Sequence, residues 1–309
     1  MKGIRYILTL LTLCVAVVSC ERGDSLSDVV QESGRPIEFS VESDWPEITK
    51  ALISNSDDIK GVGFKVWGVK SSDSDGSNSE SVFGEDGTSV SFTDGKWKSD
   101  VVKDWEGGHY SFASVLHPAK FAGTYSNNTL SIDLGDNGYN LAVNQDDFMV
   151  AFQNVDNSGY EASVVNLEFY HVFDLLDNRI ATTGAPFGSM SIYDAKIALY
   201  GIHRKIDGNL TITQSNDGKI ITNLNSIVAE KTTSESAYYS RPYTGSLNTE
   251  SNTFSFFPDK LLVFPEDLTK SQLTIEIVLK GSGNETVITR TINEGEWLPG
   301  STNVYLIRI

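Results

Sequence analysis

The sequence predicts an all-β protein made of two tandem antiparallel β-sandwiches, and three observations predict it. Beyond residue 36, apolar and polar residues alternate with period two over most of the chain. Asp-Gly and Asn-Gly pairs fall between such runs. No long apolar stretch repeats with the period of a helix. Alternation marks strands with one buried face, and the dipeptides mark tight hairpins.

The elements follow in chain order. Ile37, Phe39 and Val41 alternate with Glu38, Ser40 and Glu42. "DWPEITKALIS", 44–54, fits at most a short helix or turn. Val62, Phe64 and Val66 form the next alternating set, and "SSDSDGSNSES", 71–81, is a solvated loop. "TDGKW", 93–97, predicts a hairpin. Tyr110 and Phe112 come next, then Leu130, Ile132 and Leu134, then "GDNGYN" at 135–140 as a second hairpin. "NVDNSGYEAS", 154–163, is a polar break between apolar runs and marks the expected division into domains 37–157 and 158–309. Beyond it stand Val165, Leu167 and Phe169, Ile197 and Leu199, and Leu210 and Ile212. "SNDGKI", 215–220, predicts a third hairpin, and Leu273 through Leu279 and Tyr305, Ile307 and Ile309 close the series.

The chain has 309 residues and a formal net charge of −17. That balance argues against nucleic acid as a partner, since phosphate binding needs clustered Lys and Arg. Hydrophobic content of 39% and charged content of 21% suit a folded body rather than a disordered one.

The first twenty residues, "MKGIRYILTLLTLCVAVVSC", place Lys2 and Arg5 before an apolar run from Tyr6 to Val18. The run is short for a membrane span and reads as a signal peptide, residues 1–19. Val17-Val18-Ser19-Cys20 resembles the bacterial lipobox. By that resemblance Cys20 opens the mature chain and carries acyl chains, several of which hold a protein to a bilayer. Cys14 is discarded with the signal. The mature chain then has 22 basic against 41 acidic residues, a net charge of −19. Residues 20–36, "CERGDSLSDVVQESGRP", read as a leader and tether.

No catalytic, cofactor-binding or metal-binding set emerges. His109, His117, His171 and His203 lack metal-ligand spacing. His171 is expected on the inward strand face with Phe169. "DSDGSNSE", 73–80, has alternating oxygen ligands but not the full spacing of a calcium loop. Trp45, Trp67, Trp97, Trp105 and Trp297 are dispersed, and sandwich packing accounts for most of them. A carboxylate pair for glycoside hydrolysis is a weak reading, because the acidic residues fall on loops and polar strand faces.

In order along the chain, several segments resemble the fimbrillin superfamily, the Mfa-like or type V pilins. They are the lipobox at Cys20, "RPIEFSV" at 35–41, and "GKWKSD…HYSFASVLHP" at 95–118. "QDDFMVAFQNV…VVNLEFYHVFDLL" at 145–176 and "EWLPGSTNVYLIRI" at 296–309 complete the set. The resemblance implies two transthyretin-like sandwiches, export as a lipoprotein to the outer membrane, and no enzymatic activity. It implies a processing protease that cuts after a basic residue, with Arg35 and Arg22 as candidates. Removal of a strand then lets a neighbouring pilin subunit fill the groove, so that a fimbrium grows head to tail. Arg35 precedes Pro36, a poor bond for trypsin-like enzymes. The alternative is a surface lipoprotein that captures glycans, for which an exposed platform of aromatic rings is the expected feature.

Overall fold

The computed structural model describes residues 34–42, 56–73, 78–117, 119–135, 137–141, 143, 145–146, 148–162, 164–181, 192–223, 228–231, 239–242, 253–255, 261–281 and 284–308. The expected signal peptide, Cys20, Arg22, Trp45 and the 44–54 segment lie outside the described residues. Strands dominate, as expected, and they form several antiparallel sheets.

A seven-stranded sheet is the middle layer. Its order is Tyr170–His171, Met149–Asp156, His109–Leu116, Phe64–Ser71, Thr88–Thr93 and Lys96–Ser99, with Glu80–Ser81 also paired to Phe64–Ser71. Side chains alternate between the faces of a strand, so each face meets its own core. Phe64, Val66, Phe112, Leu116, Met149 and Ala151 enter a first apolar core. Trp67, Ala113, Val115 and Val150, on the opposite face, enter a second. Full burial of one such side chain stabilises by about 1.5–3 kcal/mol. Both cores draw on either side of residue 157. Val165, Leu167 and Phe169 join the first, and Leu130 and Ile132 join the second.

The turns explain where the alternation held. Asp94 and Gly95, with φ of 54° and 78°, join Thr93 to Lys96 in the expected hairpin. "SNDGKI" joins Asn209–Gln214 to Ile220–Asn223, with Gly218 at φ 85°. "GDNGYN" differs. It links Thr129–Asp133 to Tyr139–Asn140, which belong to different sheets. A Cβ at Gly138 would strike the carbonyl of Ile206, so the glycine serves a close crossing rather than a hairpin. The hairpin in this region is Ala122–Ser126 with Thr129–Asp133, turned by Asn127 and Asn128 at φ 49° and 56°. The Val62 alternation also starts later than expected. Val62 ends a helix, Ser56–Val62, and Gly63 at φ 70° stops it before the strand begins at Phe64.

Among the described strands, two pairs are parallel. Glu38–Glu42 runs beside Val164–Glu168, and Thr302–Arg308 runs beside Asp174–Ala181. These are the first and last strands of the described chain.

Candidate functional site: the two terminal strands

The first strand is held mainly by its side chains. Ile37 and Phe39 are each only 6% exposed. The Phe39 ring lies 6.1 Å from Phe64 and from Phe83, and 6.2 Å from Phe112. It meets Phe64 and Phe112 edge to face, the favoured aromatic geometry. Along one edge the strand pairs with Val164–Glu168, and Ser40 Oγ donates to Asn166 Oδ1. Along the other edge, among the described residues, only its start is bonded. Ile37 N–H donates to Lys103 O at 2.7 Å, and Trp105 N–H donates to Arg35 O at 2.8 Å. Pro36 faces Asp104 between these two bonds. That is the non-hydrogen-bonded position of an antiparallel bridge, where proline's missing N–H costs nothing.

Arg35 therefore stands at the entrance of the first strand. Its guanidinium donates to Tyr160 O and its carbonyl is bonded to Trp105. A cut after Arg35 leaves Ile37, Phe39 and the whole of Glu38–Glu42 in the retained chain.

The last strand is held differently. Val304 and Leu306 are 53% and 50% exposed. Among the described residues the strand is paired along one edge only. Its entry is clamped by Asp174, a buried carboxyl at the start of Asp174–Ala181. Oδ1 accepts from Leu175 N–H at 2.8 Å and from Ser301 Oγ at 2.7 Å, and Oδ2 accepts from Asn303 Nδ2 at 2.5 Å. Burial pushes the Asp174 carboxyl up to about 6, although those three donors pull the other way. Trp297, 1% exposed, donates its indole N–H to Tyr305 Oη at 2.9 Å. This bond accounts for the spacing of Trp297 and Tyr305 in "EWLPGSTNVY".

The histidines serve packing and pairing. His117 is buried. Its Nδ1 accepts from Ala119 N–H at 3.0 Å, so Nε2 carries the proton and donates to Tyr139 Oη at 3.1 Å, which donates to Asp146 O at 2.6 Å. His171 is buried, as expected. His203 Nδ1 lies 2.5 Å from Glu266 Oε1. Ser271 donates to the other oxygen of Glu266 and not to the histidine, so the trio lacks the nucleophile–base contact of covalent catalysis. His109 Nδ1 lies 3.4 Å from Asp156 Oδ1. Among the described residues no three acidic, histidine or cysteine side chains are grouped as metal ligands. Trp67, Trp105 and Trp297 are buried, and Trp97 packs between Phe64 and Phe92, 5.1 Å from each. These four rings form no exposed platform.

The fold and its terminal strands define an all-β protein of layered antiparallel sheets closed by two parallel add-on strands. The chain belongs to the fimbrillin-like family, whose profile (Mfa_like_1) matches residues 49–309. Among solved structures it is similar to a fimbrial protein from Bacteroides vulgatus, with 14% identity over 89% of this chain and 96% of that one, at a TM-score of 0.47. It is also similar to a candidate cell adhesion protein from Bacteroides ovatus, at 13% identity, 88% and 91% coverage and a TM-score of 0.47. A third, from Bacteroides uniformis, has 11% identity, 89% and 92% coverage and a TM-score of 0.43. No curated protein matches the chain. No helix among the described residues is long and apolar enough to cross a membrane.

Proposed function

We propose that this chain is a structural fimbrial subunit or accessory pilin that supports cell adhesion at the bacterial outer surface, without catalytic activity. It is exported as a lipoprotein held to the outer membrane through Cys20. Its two cores form the two sandwich lobes of the pilin. Its partners are other pilin subunits and a processing protease that acts at Arg35 or Arg22. Membership of the fimbrillin-like family supports this reading.

The observation that carries the assembly step is the contrast in edge pairing. Among the described residues the last strand is bonded along one edge, and it offers half-exposed Val304 and Leu306. Such an edge adds readily to a neighbouring sheet. The first strand fills the aromatic nest around Phe39, the slot that a neighbour's strand would occupy. A cut at Arg35 or Arg22 frees the body from its lipid, and the first strand, no longer tethered, is then exchanged for a neighbour's strand.

The test compares a chain beginning at Pro36 with one beginning at Ser43. The shorter chain is expected to bind a synthetic peptide of residues 35–42 and, without peptide, to form ladders. The longer chain, whose own first strand competes for the slot, is expected to do both more slowly. A shorter chain that folds yet ignores the peptide and stays monomeric overturns the strand-addition reading. Mass spectrometry of the cell-bound protein reads the lipid on Cys20 and the processed terminus directly.

A further inference from the structure

A second feature owes nothing to the assembly reading. Three strands of the central sheet stand side by side in register. Val69, Ser111 and Asn154 form one row across them, and Ser71, His109 and Asp156 form the next. Directly opposed residues of antiparallel strands point to the same face. This is the face that elsewhere carries Ala113, Val115 and Val150 into the second core. Here, at the sheet's end, it borders an open cavity of about 510 Å³, within the range of about 300–1,000 Å³ for small-molecule sites.

The cavity has a built wall. Tyr125, Asn127 and Asn128, from the hairpin over the second core, line it. Ser111 Oγ and Tyr125 Oη are hydrogen-bonded at 2.5 Å, one donating to the other, and the hydroxyl that accepts there donates to Asn128 Oδ1, which lies 3.2 Å from Ser111 Oγ and 3.3 Å from Tyr125 Oη. That network fixes the asparagine amide and the serine hydroxyl before any ligand arrives. On the floor, His109 and Asp156 are paired, and Ser158 N–H and His109 hold the Asp156 carboxyl below its ordinary value. Gly108, at φ 137°, lets the chain reach this row, because a Cβ there would lie 2.8 Å from Ser71 O.

The lining selects the ligand class. Among the described residues no Lys or Arg lines the cavity, while Asp73 and Asp156 do, which disfavours phosphates and other anions. Among the described residues the lining holds no metal-ligand group. The floor's backbone is already paired within the sheet, so an extended peptide gains no ladder bonds there. What remains is a row of carboxylate, amide, hydroxyl and imidazole groups beside the apolar surface of Val69 and Tyr125. The geometry points to a site for a neutral, hydroxyl-rich ligand: the terminal sugar of a glycan. Asp156 and Asn154 would accept from and donate to neighbouring hydroxyls, and His109 would fix a third. This gives an adhesive surface its ligand chemistry without the exposed platform of aromatic rings that the alternative, glycan-capturing reading of the sequence called for.

The experiment is saturation-transfer NMR on the mature chain with the methyl glycosides of glucose, galactose, mannose, fucose and N-acetylglucosamine, each at millimolar concentration. Inorganic phosphate and calcium serve as rival probes, read by the chemical shifts of the His109 ring protons. At least one glycoside is expected to receive saturation. Asp156→Asn and Asn154→Ala, checked for an unchanged melting temperature, are each expected to weaken that binding about tenfold, the usual loss for one hydrogen bond to a charged or buried partner. If Asn154→Ala does not fold, Asp156→Asn carries the test, since it preserves shape. The inference is overturned by silence from every glycoside, by transfer that neither variant reduces, or by shifts at His109 that follow phosphate or calcium instead.

Discussion

The first and last strands share a topology and differ in how they are held. Each adds in parallel to a strand far along the chain, and each sits at an edge. The first sinks Ile37 and Phe39 into an aromatic core. The last keeps Val304 and Leu306 half exposed and relies on a polar clamp at Asp174 and a single indole bond at Trp297. Side-chain burial is stabilising but unselective about partner backbone. Polar clamps contribute less and are specific in register. The comparison therefore separates a strand fixed by volume from one fixed by bonds.

The sharpest break comes at Phe39. Phe39→Ala removes a ring that meets three others, and by the usual cost of such a truncation it should destabilise the body by about 3–5 kcal/mol. Denaturant unfolding measures this, and a loss below 1 kcal/mol would show that the nest does not hold the strand.

The clamp should show in pH dependence instead. The folded-state value of Asp174 is raised from 3.8 to about 6, so folding favours the protonated acid. Its contribution is fully present below pH 3.8 and is lost as pH rises through 6; the span amounts to about 3 kcal/mol. Asp174→Asn, neutral at every pH, should remove this component of the slope between pH 4 and 6. Unfolding midpoints of both proteins at pH 4 and pH 7 decide it, and parallel slopes count against the buried-acid account.

Tyr305→Phe should cost about 1–2 kcal/mol, since it strands the buried Trp297 N–H. Tryptophan fluorescence and unfolding together read the effect. Smallest of all, Val304→Thr should change stability by no more than about 0.5 kcal/mol, because the side chain is half in water. Were it instead to reduce ladder formation sharply, the same residue would be marked as an assembly contact.

Much of the fold was legible because alternation is local. Phe64 with Val66, Tyr110 with Phe112 and Leu210 with Ile212 revealed strands from neighbours two residues apart. Asp94-Gly95 revealed its hairpin because φ > 0 is written into the dipeptide. Asn127-Asn128 makes the same kind of turn, and asparagine tolerates that conformation, yet without glycine the signal was not read. "GDNGYN" misled, since a glycine needed for close passage looks like one needed for a turn. The candidate sugar site was not legible at all. Its six floor residues come from strands between Val69 and Asp156, and no local pattern brings those together. Asp174 looked like the polar residue of an ordinary strand; only the return of Ser301 and Asn303 buries it.

The two parallel pairs also bear on how the molecule assembles itself. Ser40 meets Asn166 across 126 residues, and Asp174 meets Ser301 across 127. Contacts so distant in sequence close large loops, and the loss of chain entropy must be met before they return anything. Both strands should therefore dock late, onto sheets already formed, and detach early when the protein opens. A pulse of hydrogen exchange during refolding should find the amides of Phe39 and Tyr305 protected after those of Phe112 and Ile275. A body that finishes folding at its two edges passes through a state with both edges open, and that interval is when a second chain competes with the first for the same places.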